Sequence, residues 1–219
     1  MSDSDDTLLS DSVKDPMILN MRENLLAPRI SDGADEIKRD GQRGAAVLIP
    51  LVKRQIGGAL SWQVILTQRP ETMPSHPGQI AFPGGKREPE EPILQTALRE
   101  TEEEIGVAAC DIKIIGRMPS FNTMSKYRIT PFVGIVSAGA KITPDPREVE
   151  DVFEVPLDFL MNKDNHVSRV VSYDDREFHL TDMPYTGGDG VYRNIWGMTA
   201  MMIFRLYQRS QLGVFETDY

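Results

Sequence analysis

The chain has 219 residues, and 33 acidic side chains against 24 basic ones leave a net charge of −9. With 40% apolar and 26% charged residues it is not a collagen, a long coiled coil or a wholly disordered chain, and its length fits one domain with extensions or two very small ones. The acidic balance argues against a nucleic-acid backbone as partner, because no basic excess exists to displace its counterions; a small phosphorylated ligand stays open if a metal ion mediates the contact.

The first 15 residues carry five Asp and one Lys, which fits neither an export signal nor a mitochondrial transit peptide. The longest apolar run, Ala45 to Val52, is far short of the roughly 20 residues a spanning helix needs. A soluble cytoplasmic protein without a membrane partner is expected. The segment 1–16 reads as a polar tail dispensable for chemistry. Met17 to Leu26 follows as a short amphipathic helix closed by Pro28, with a sticky face through which a homodimer could form. Residues 31–43 read as a linker, so the N-terminal unit spans 1–43 and the compact domain 44–219. Within it, Ala45–Val52 and Ser61–Thr67 are predicted strands joined by a loop over Lys53–Gly58, and Ile80–Phe82 is a short strand before a Pro-Gly-Gly turn. Pro92–Ile105 is the clearest helix, with Pro92 in its first turn and Gly106 as C-cap. The lone Cys110 excludes an internal disulfide and fits a reducing compartment, where it reads as core filling. Strands follow at Ile112–Met118, Ile129–Ser137 and Val152–Val155, then a hairpin of Val167–Tyr173 and Glu177–Leu180. Gly187 to Gly190 lacks the Lys-Ser/Thr and helix of a phosphate loop and reads as a flexible turn. Trp196–Tyr207 is a final, largely buried helix. Strands on both sides of one central helix, closed by another, predict an α/β/α sandwich around a mixed β-sheet.

The central helix carries the chemistry. At about 100° per residue, Glu100, Glu103 and Glu104 share one face, Glu102 points to solvent, and Ile93, Leu94, Ala97, Leu98 and Ile105 cover the arc that must face the core. Like charges at i,i+3 and i,i+4 destabilise a bare helix. A divalent cation relieves that repulsion, and carboxylate oxygens are the ligands hard cations such as Mg²⁺ prefer. Glutamate runs are usually solvated faces. Here Gly84 and Gly85 supply a side-chain-free approach immediately upstream, and Glu91 and Arg99 are spaced to tether that incoming loop to the helix.

Gly85 to Val107 resembles the Nudix box, Gx5Ex7REUxEExGU, where U is aliphatic. Gly85, Glu91, Arg99, Glu100, Glu103, Glu104 and Gly106 match every fixed position, and Thr101 departs at the first U. The resemblance implies a Nudix-type α/β/α sandwich with a loop-helix-loop site for Mg²⁺ or Mn²⁺, with Glu100, Glu103 and Glu104 as ligands. It also implies hydrolysis of a nucleoside diphosphate linked to another group. One of the three glutamates or Glu148, in a later loop, is the candidate base.

A second segment, Leu66-Thr-Gln-Arg69 with His76-Pro-Gly-Gln-Ile-Ala-Phe-Pro-Gly-Gly85, resembles the signature LTxR…HxGQxxFPGG of the coenzyme A diphosphatase branch. Pro131-Phe-Val-Gly134, Glu148-Val149 with Val155-Pro-Leu157, and Ile195-Trp-Gly with Thr199-Ala200 are similar to that branch too. This implies cleavage of coenzyme A to 4′-phosphopantetheine and adenosine 3′,5′-bisphosphate. The other readings are a Nudix hydrolase of ADP-ribose, NADH or a similar nucleotide, and a non-catalytic module; the last would be expected to lose a ligand glutamate, and none is lost. Arg69, after a buried strand and before Pro70, is placed to meet a phosphate. His76 fits a turn as well as a catalyst, and Gln79 bonds substrate or holds its loop. Tyr127 offers a ring to an adenine. Lys126 and Arg128 are candidates for the 3′-phosphate, and Gly84 and Gly85 complete the expected substrate contacts.

Overall fold

A computed structural model describes residues 14–26, 41–73, 76–173 and 176–212. The acidic tail through residue 13, Pro28 and the linker up to residue 40 lie outside the described residues. Helix α1 (Pro16–Glu23) is followed by strands β1 (Arg43–Ile56), β2 (Ala59–Gln68), β3 (Ile80–Ala81) and β4 (Gly84–Lys86). Then come α2 (Ile93–Ile105), β5 (Ile112–Arg117), β6 (Phe121–Asn122), β7 (Tyr127–Val136), β8 (Asp151–Pro156) and α3 (Leu157–Leu160). Strands β9 (Val167–Tyr173), β10 (Arg176–Thr186) and β11 (Tyr192–Ile195) precede the closing helix α4 (Gly197–Leu212).

Among the described residues the first eight strands form one sheet with the path β3-β2-β1-β7-β5, and β9, β10 and β11 form a second. The large sheet is mixed: β1 runs parallel to β7 and antiparallel to β2 and β4. Lys53–Ile56 is strand rather than the predicted loop. The hairpin turn is only Gly57-Gly58, both at positive φ (59° and 86°), which suits the twist of the flanking strands. Beyond the hairpin β1 and β2 part. Leu51 to Ile56 of β1 pairs with β2, whereas Ala45 to Val47 pairs with β4. The end of β2 pairs instead with β3 and, on its other edge, with β8. The β3–β4 segment therefore lies in a fork of the sheet, where the Leu48 N–H donates to Pro83 O at 2.9 Å.

Alternation along the strands sets the layers. Ala46, Leu48 and Phe132 point to one face and pack with Ala97 of α2. Val64, Leu66, Ile49, Leu51, Val133 and Ile135 point to the other and join Leu157, Leu160, Met183, Ile195, Ile203 and Leu206. The result is the expected α/β/α sandwich, with α2 on one face and α1, α3, α4 and the small sheet on the other. Helix α4 keeps an exposed side: Met201 is 41% exposed, as is Trp196 (43%) just before it. Cys110 is exposed rather than part of the core. No helix among the described residues is long and apolar enough to cross a membrane.

The apolar face of α1 is covered by the chain's own core and is not left for assembly. Ile18, Met21 and Leu25 are buried in the main cluster, and the backbone of Leu26 bridges to Arg117. Asp15 pins the helix. Its carboxylate caps Met17 N–H (3.1 Å) and accepts from Trp62 Nε1 (3.0 Å) and Lys53 Nζ (3.1 Å). Burial alone raises the pKa of Asp15, but the bonds from Trp62, Lys53 and Met17 outweigh it and the net shift is downward. Deletion of 1–16 therefore removes a structural residue along with the tail. Asp15→Ala is expected to cost about 1–3 kcal/mol in urea unfolding at pH 7, through the lost cap and the stranded Trp62 N–H. Because the folded pKa lies below the unfolded one, the contribution of the charge is present above pH 3.8 and vanishes as pH falls through the folded value. The stability gap between the native chain and Asp15→Asn should accordingly narrow in the acid limb of a pH series.

Candidate active site

Helix α2 begins after Pro92, which stands at the N-cap. It ends at Gly106, whose φ of 71° needs a glycine and whose absent Cβ would sit 2.9 Å from Thr143 O. Ala97 and Ile105 are fully buried against the sheet, which fixes the rotation of the helix. Glu104 is thereby carried inward to 5% exposure, Glu100 lies partly buried beside it, and Glu102 and Glu103 stay exposed. The glycines of β4 meet this face directly. Gly84 N–H donates to Glu104 Oε2 at 3.1 Å. A Cβ on Gly85 would fall on the carboxylate of Glu100, and one on Gly84 would strike the backbone of Ala46 and Val47. These two glycines form a strand along β1, where the sequence predicts a turn, because β1 offers them a free edge in the fork.

Arg99 joins the approach to the helix. Its Nε donates to Glu91 Oε1 at 2.8 Å and its Nη2 to Lys86 O at 3.1 Å. It also pairs with Glu100 Oε1 at 3.0 Å and Glu103 Oε2 at 2.8 Å. The Arg99 bond, aided by Thr96 Oγ1 and the Glu88 N–H, holds the Glu91 carboxyl down at about 2 against the opposing effect of burial. Thr96 escapes the sequence reading: only its spacing from Glu91 could have marked it.

The other carboxylates are pushed the opposite way. Burial raises Glu104 to about 8, with the charges of Glu100 and Glu148 adding to the effect, while Gly84 N–H and Arg69 oppose it. Burial also raises Glu100 against the pull of Arg99. Glu148 reaches the group because its loop is tied to the end of α2: Asp145 N–H donates to Glu104 O (3.0 Å) and Val149 N–H to Asp145 O (2.9 Å). Glu100, Glu104, Glu148 and Arg69 are thus brought together. Glu103 is engaged by Arg99, and among the described residues no three His, Cys, Asp or Glu side chains are grouped closely enough to hold a metal ion as they stand. The donor chemistry of this face suits a hard divalent cation. The donors are all carboxylate oxygens, the missing Cβ of Gly85 leaves Glu100 room, and two crowded carboxylates gain most from a positive charge.

Arg69 is anchored by its N–H to Gln79 O (3.0 Å), and its Nε is buried without a hydrogen-bond partner. Gln79 Nε2 lies 3.4 Å from where a Cβ on Gly197 would be, so the start of α4 abuts the loop; Thr199 Oγ1 holds Ile80 O at 2.9 Å. His76 is exposed at a φ of 55° and its carbonyl accepts from Gln79 N–H, which is a turn role. Lys126 stands at a φ of 62° in the β6–β7 turn. Arg128 pairs in register with Gly44 and so faces the α2 side of the sheet, opposite to Tyr127. Gly187-Gly190 joins β10 to β11, and Asp189 there is gripped by Arg193 at 2.8 Å.

The NUDIX domain model matches residues 42–174, and the chain belongs to the Nudix family. It is 33% identical to a protein of Photorhabdus laumondii described as an uncharacterized Nudix hydrolase NudL, over 79% of this chain and 88% of that protein. Its identity to the protein of the same description from Yersinia pestis is 36%, over 76% of this chain and 79% of the relative. A MutT/nudix family protein from Enterococcus faecalis shares 17% identity at a TM-score of 0.49, covering 81% of this chain and 64% of that one. The C. elegans Ap4A hydrolase binary complex shares 20% at 0.43, over 53% and 81%. The chain is a Nudix hydrolase with a mixed-sheet α/β fold.

Since Glu91 serves Arg99, Thr96 and a backbone N–H at once, Glu91→Gln should cost roughly 1.5–3 kcal/mol at pH 7. Urea unfolding with an unchanged slope is the measurement; a loss within error would mean that Arg99 is held by Glu100 and Glu103 alone.

Proposed function

We propose that the protein hydrolyses the diphosphate bond of coenzyme A to 4′-phosphopantetheine and adenosine 3′,5′-bisphosphate, with acyl and oxidised forms as related substrates. The observation that supports this reading is that the Gly84-Gly85 end of the His76–Gly85 segment meets Glu104 and Glu100, with the charge of Arg69 acting on Glu104. Arg69 is bonded to Gln79 and acts on Glu104, and Gly84 donates to Glu104. The Gly84-Gly85 end of the segment that resembles the coenzyme A diphosphatase branch therefore lies against the carboxylate face. The reading places the enzyme in the cytoplasm.

Glu100, Glu103 and Glu104 are the residues that would hold Mg²⁺ or Mn²⁺. When bound, the ion offsets the negative charge of the diphosphate and lowers the pKa of a coordinated water. Arg69 meets a diphosphate oxygen with a guanidinium already desolvated at Nε. Glu148, exposed on a loop tied to α2, accepts the proton of the attacking water. Gly84 N–H keeps Glu104 oriented during that transfer.

The direct test is a substrate panel of coenzyme A, ADP-ribose, NADH and dinucleoside polyphosphates, with coenzyme A expected to show the highest kcat/KM. A higher value for ADP-ribose would remove the coenzyme A assignment and leave the family. Chelation should abolish turnover and Mg²⁺ or Mn²⁺ should restore it; full activity of verified metal-free protein would sink the metal reading. Glu103→Gln should fold normally and lose at least about a hundredfold in kcat, the scale set by removing one preorganised charge interaction. Glu102→Gln, its exposed neighbour, should stay within a few-fold, and equal losses would mean the helix face is misassigned.

A further inference from the structure

A second charged feature lies two residues along β4 from the carboxylate face, on the opposite side of the sheet. Gly85 pairs with Ala46 on the α2 side, so Lys86, paired with Ala45, faces the other way. Arg43, two residues before Ala45, shares that face, as do its register partner Tyr127 and the partner of Ala45, Ile129. Phe121 pairs with Ile129 and faces the same way. Lys86 and Arg43 are thus diagonal neighbours, roughly 7–8 Å apart at their backbones. Behind them Val47, Ile129 and Phe121 form a partly buried apolar floor. The guanidinium of Arg43 lies 4.3 Å over the ring of Tyr127. Stacking on an aromatic face fixes the plane of a guanidinium and leaves its edge donors free for a planar or tetrahedral anion.

Both cations are exposed, and among the described residues neither side chain makes an ion pair. In a chain of net charge −9 with 33 acidic residues, two adjacent cations without an acidic partner form a local reversal of field. From Lys86 back to Gly84 is two strand residues, about 7 Å. Among the described residues β4 pairs with β1 alone, so a ribose carrying phosphate on two of its oxygens passes from one face to the other around the unpaired edge of β4. Arg128, by its register with Gly44, lies on the α2 face with Arg87, whose stem lies 3.1 Å from where a Cβ on Gly44 would be.

We infer that Arg43 and Lys86 form a subsite for a phosphomonoester on the ribose of the nucleoside, with the base on the Val47–Ile129–Phe121 floor and the diphosphate at the carboxylates. The inference deepens the proposed function: it selects nucleotides that bear a phosphate beyond the scissile diphosphate and assigns that choice to Arg43 and Lys86 rather than Arg128.

The test is direct binding, which needs no turnover. Adenosine 3′,5′-bisphosphate and AMP are titrated by calorimetry into the full-length protein with Mg²⁺. The bisphosphate should bind at least about tenfold more tightly, the scale of one charge-assisted contact. Arg43→Gln and Lys86→Gln should each bring the ratio within about threefold, while Lys113→Gln, at an exposed position of β5, should keep the intact ratio. Urea unfolding verifies that each variant is folded. Equal affinity for the two nucleotides, no binding of the bisphosphate, or a ratio that collapses in Arg128→Gln but not in Arg43→Gln overturns the subsite. A substrate panel that fails for coenzyme A while the ratio and its loss persist would refute the proposed function and leave the phosphate subsite standing.

Discussion

The close approach of β4 to its two neighbours governs the site. Gly84 lies so near the backbone of Ala46 and Val47 that no Cβ fits, and Gly85 so near Glu100 that a methyl group would occupy the carboxylate. Backbone, rather than side chain, is therefore what the glutamates of α2 meet. A backbone N–H is a compact donor with a fixed direction, and the one at Gly84 orients Glu104 at 3.1 Å. Larger residues would push β4 off the edge of β1 and carry Lys86 and its carbonyl away from Arg99. The fork between β1 and β2 makes the approach available by leaving the edge of β1 unpaired at Ala45 to Val47.

Electrostatic balance follows from that geometry. The face of α2 gathers more negative charge than a helix tolerates alone, and two devices manage it. Arg99 takes Glu91, Glu100 and Glu103 in one network, so the loop before the helix and the helix itself share a cation. Glu104, beyond its reach and buried, is left with a raised pKa. A site of this kind is poised for positive charge, because a bound cation recovers the energy that burial withholds from the ionised carboxylates. The same imbalance explains why Arg69 matters: its charge is the one that lowers Glu104 from the far side of the fork.

The second layer serves the site indirectly. Thr199 holds Ile80, and Gly197 abuts Gln79, so the closing helix braces the loop that carries Arg69 and Gln79. Helix α1, pinned by Asp15 to Trp62 and Lys53, braces the same sheet from its outer end. Residues near both ends of the chain thus stabilise the fork.

What the sequence determined by itself was local. The spacing of Ala97 and Ile105 oriented the helix, Gly106 ended it, and the eight-residue interval from Glu91 to Arg99 matched a loop folded back on a helix. Each depends on a period or a backbone preference contained within a few residues. What only the tertiary structure decided was non-local. Gly84-Gly85 reads as a turn until the free edge of β1 turns it into a strand. Lys53–Ile56 reads as loop because its charged residues mark solvent exposure, which a strand at the end of a sheet shares. Met17–Leu26 reads as a sticky surface because nothing in its pattern names its cover, which is the core it packs on. Arg43 and Lys86, 43 positions apart, carry no pattern that links them; strand register alone puts them on one face, and the same register puts Arg128 on the other. Periodicity tells which way a side chain points within its own element, but which elements lie side by side is set by packing across the whole chain.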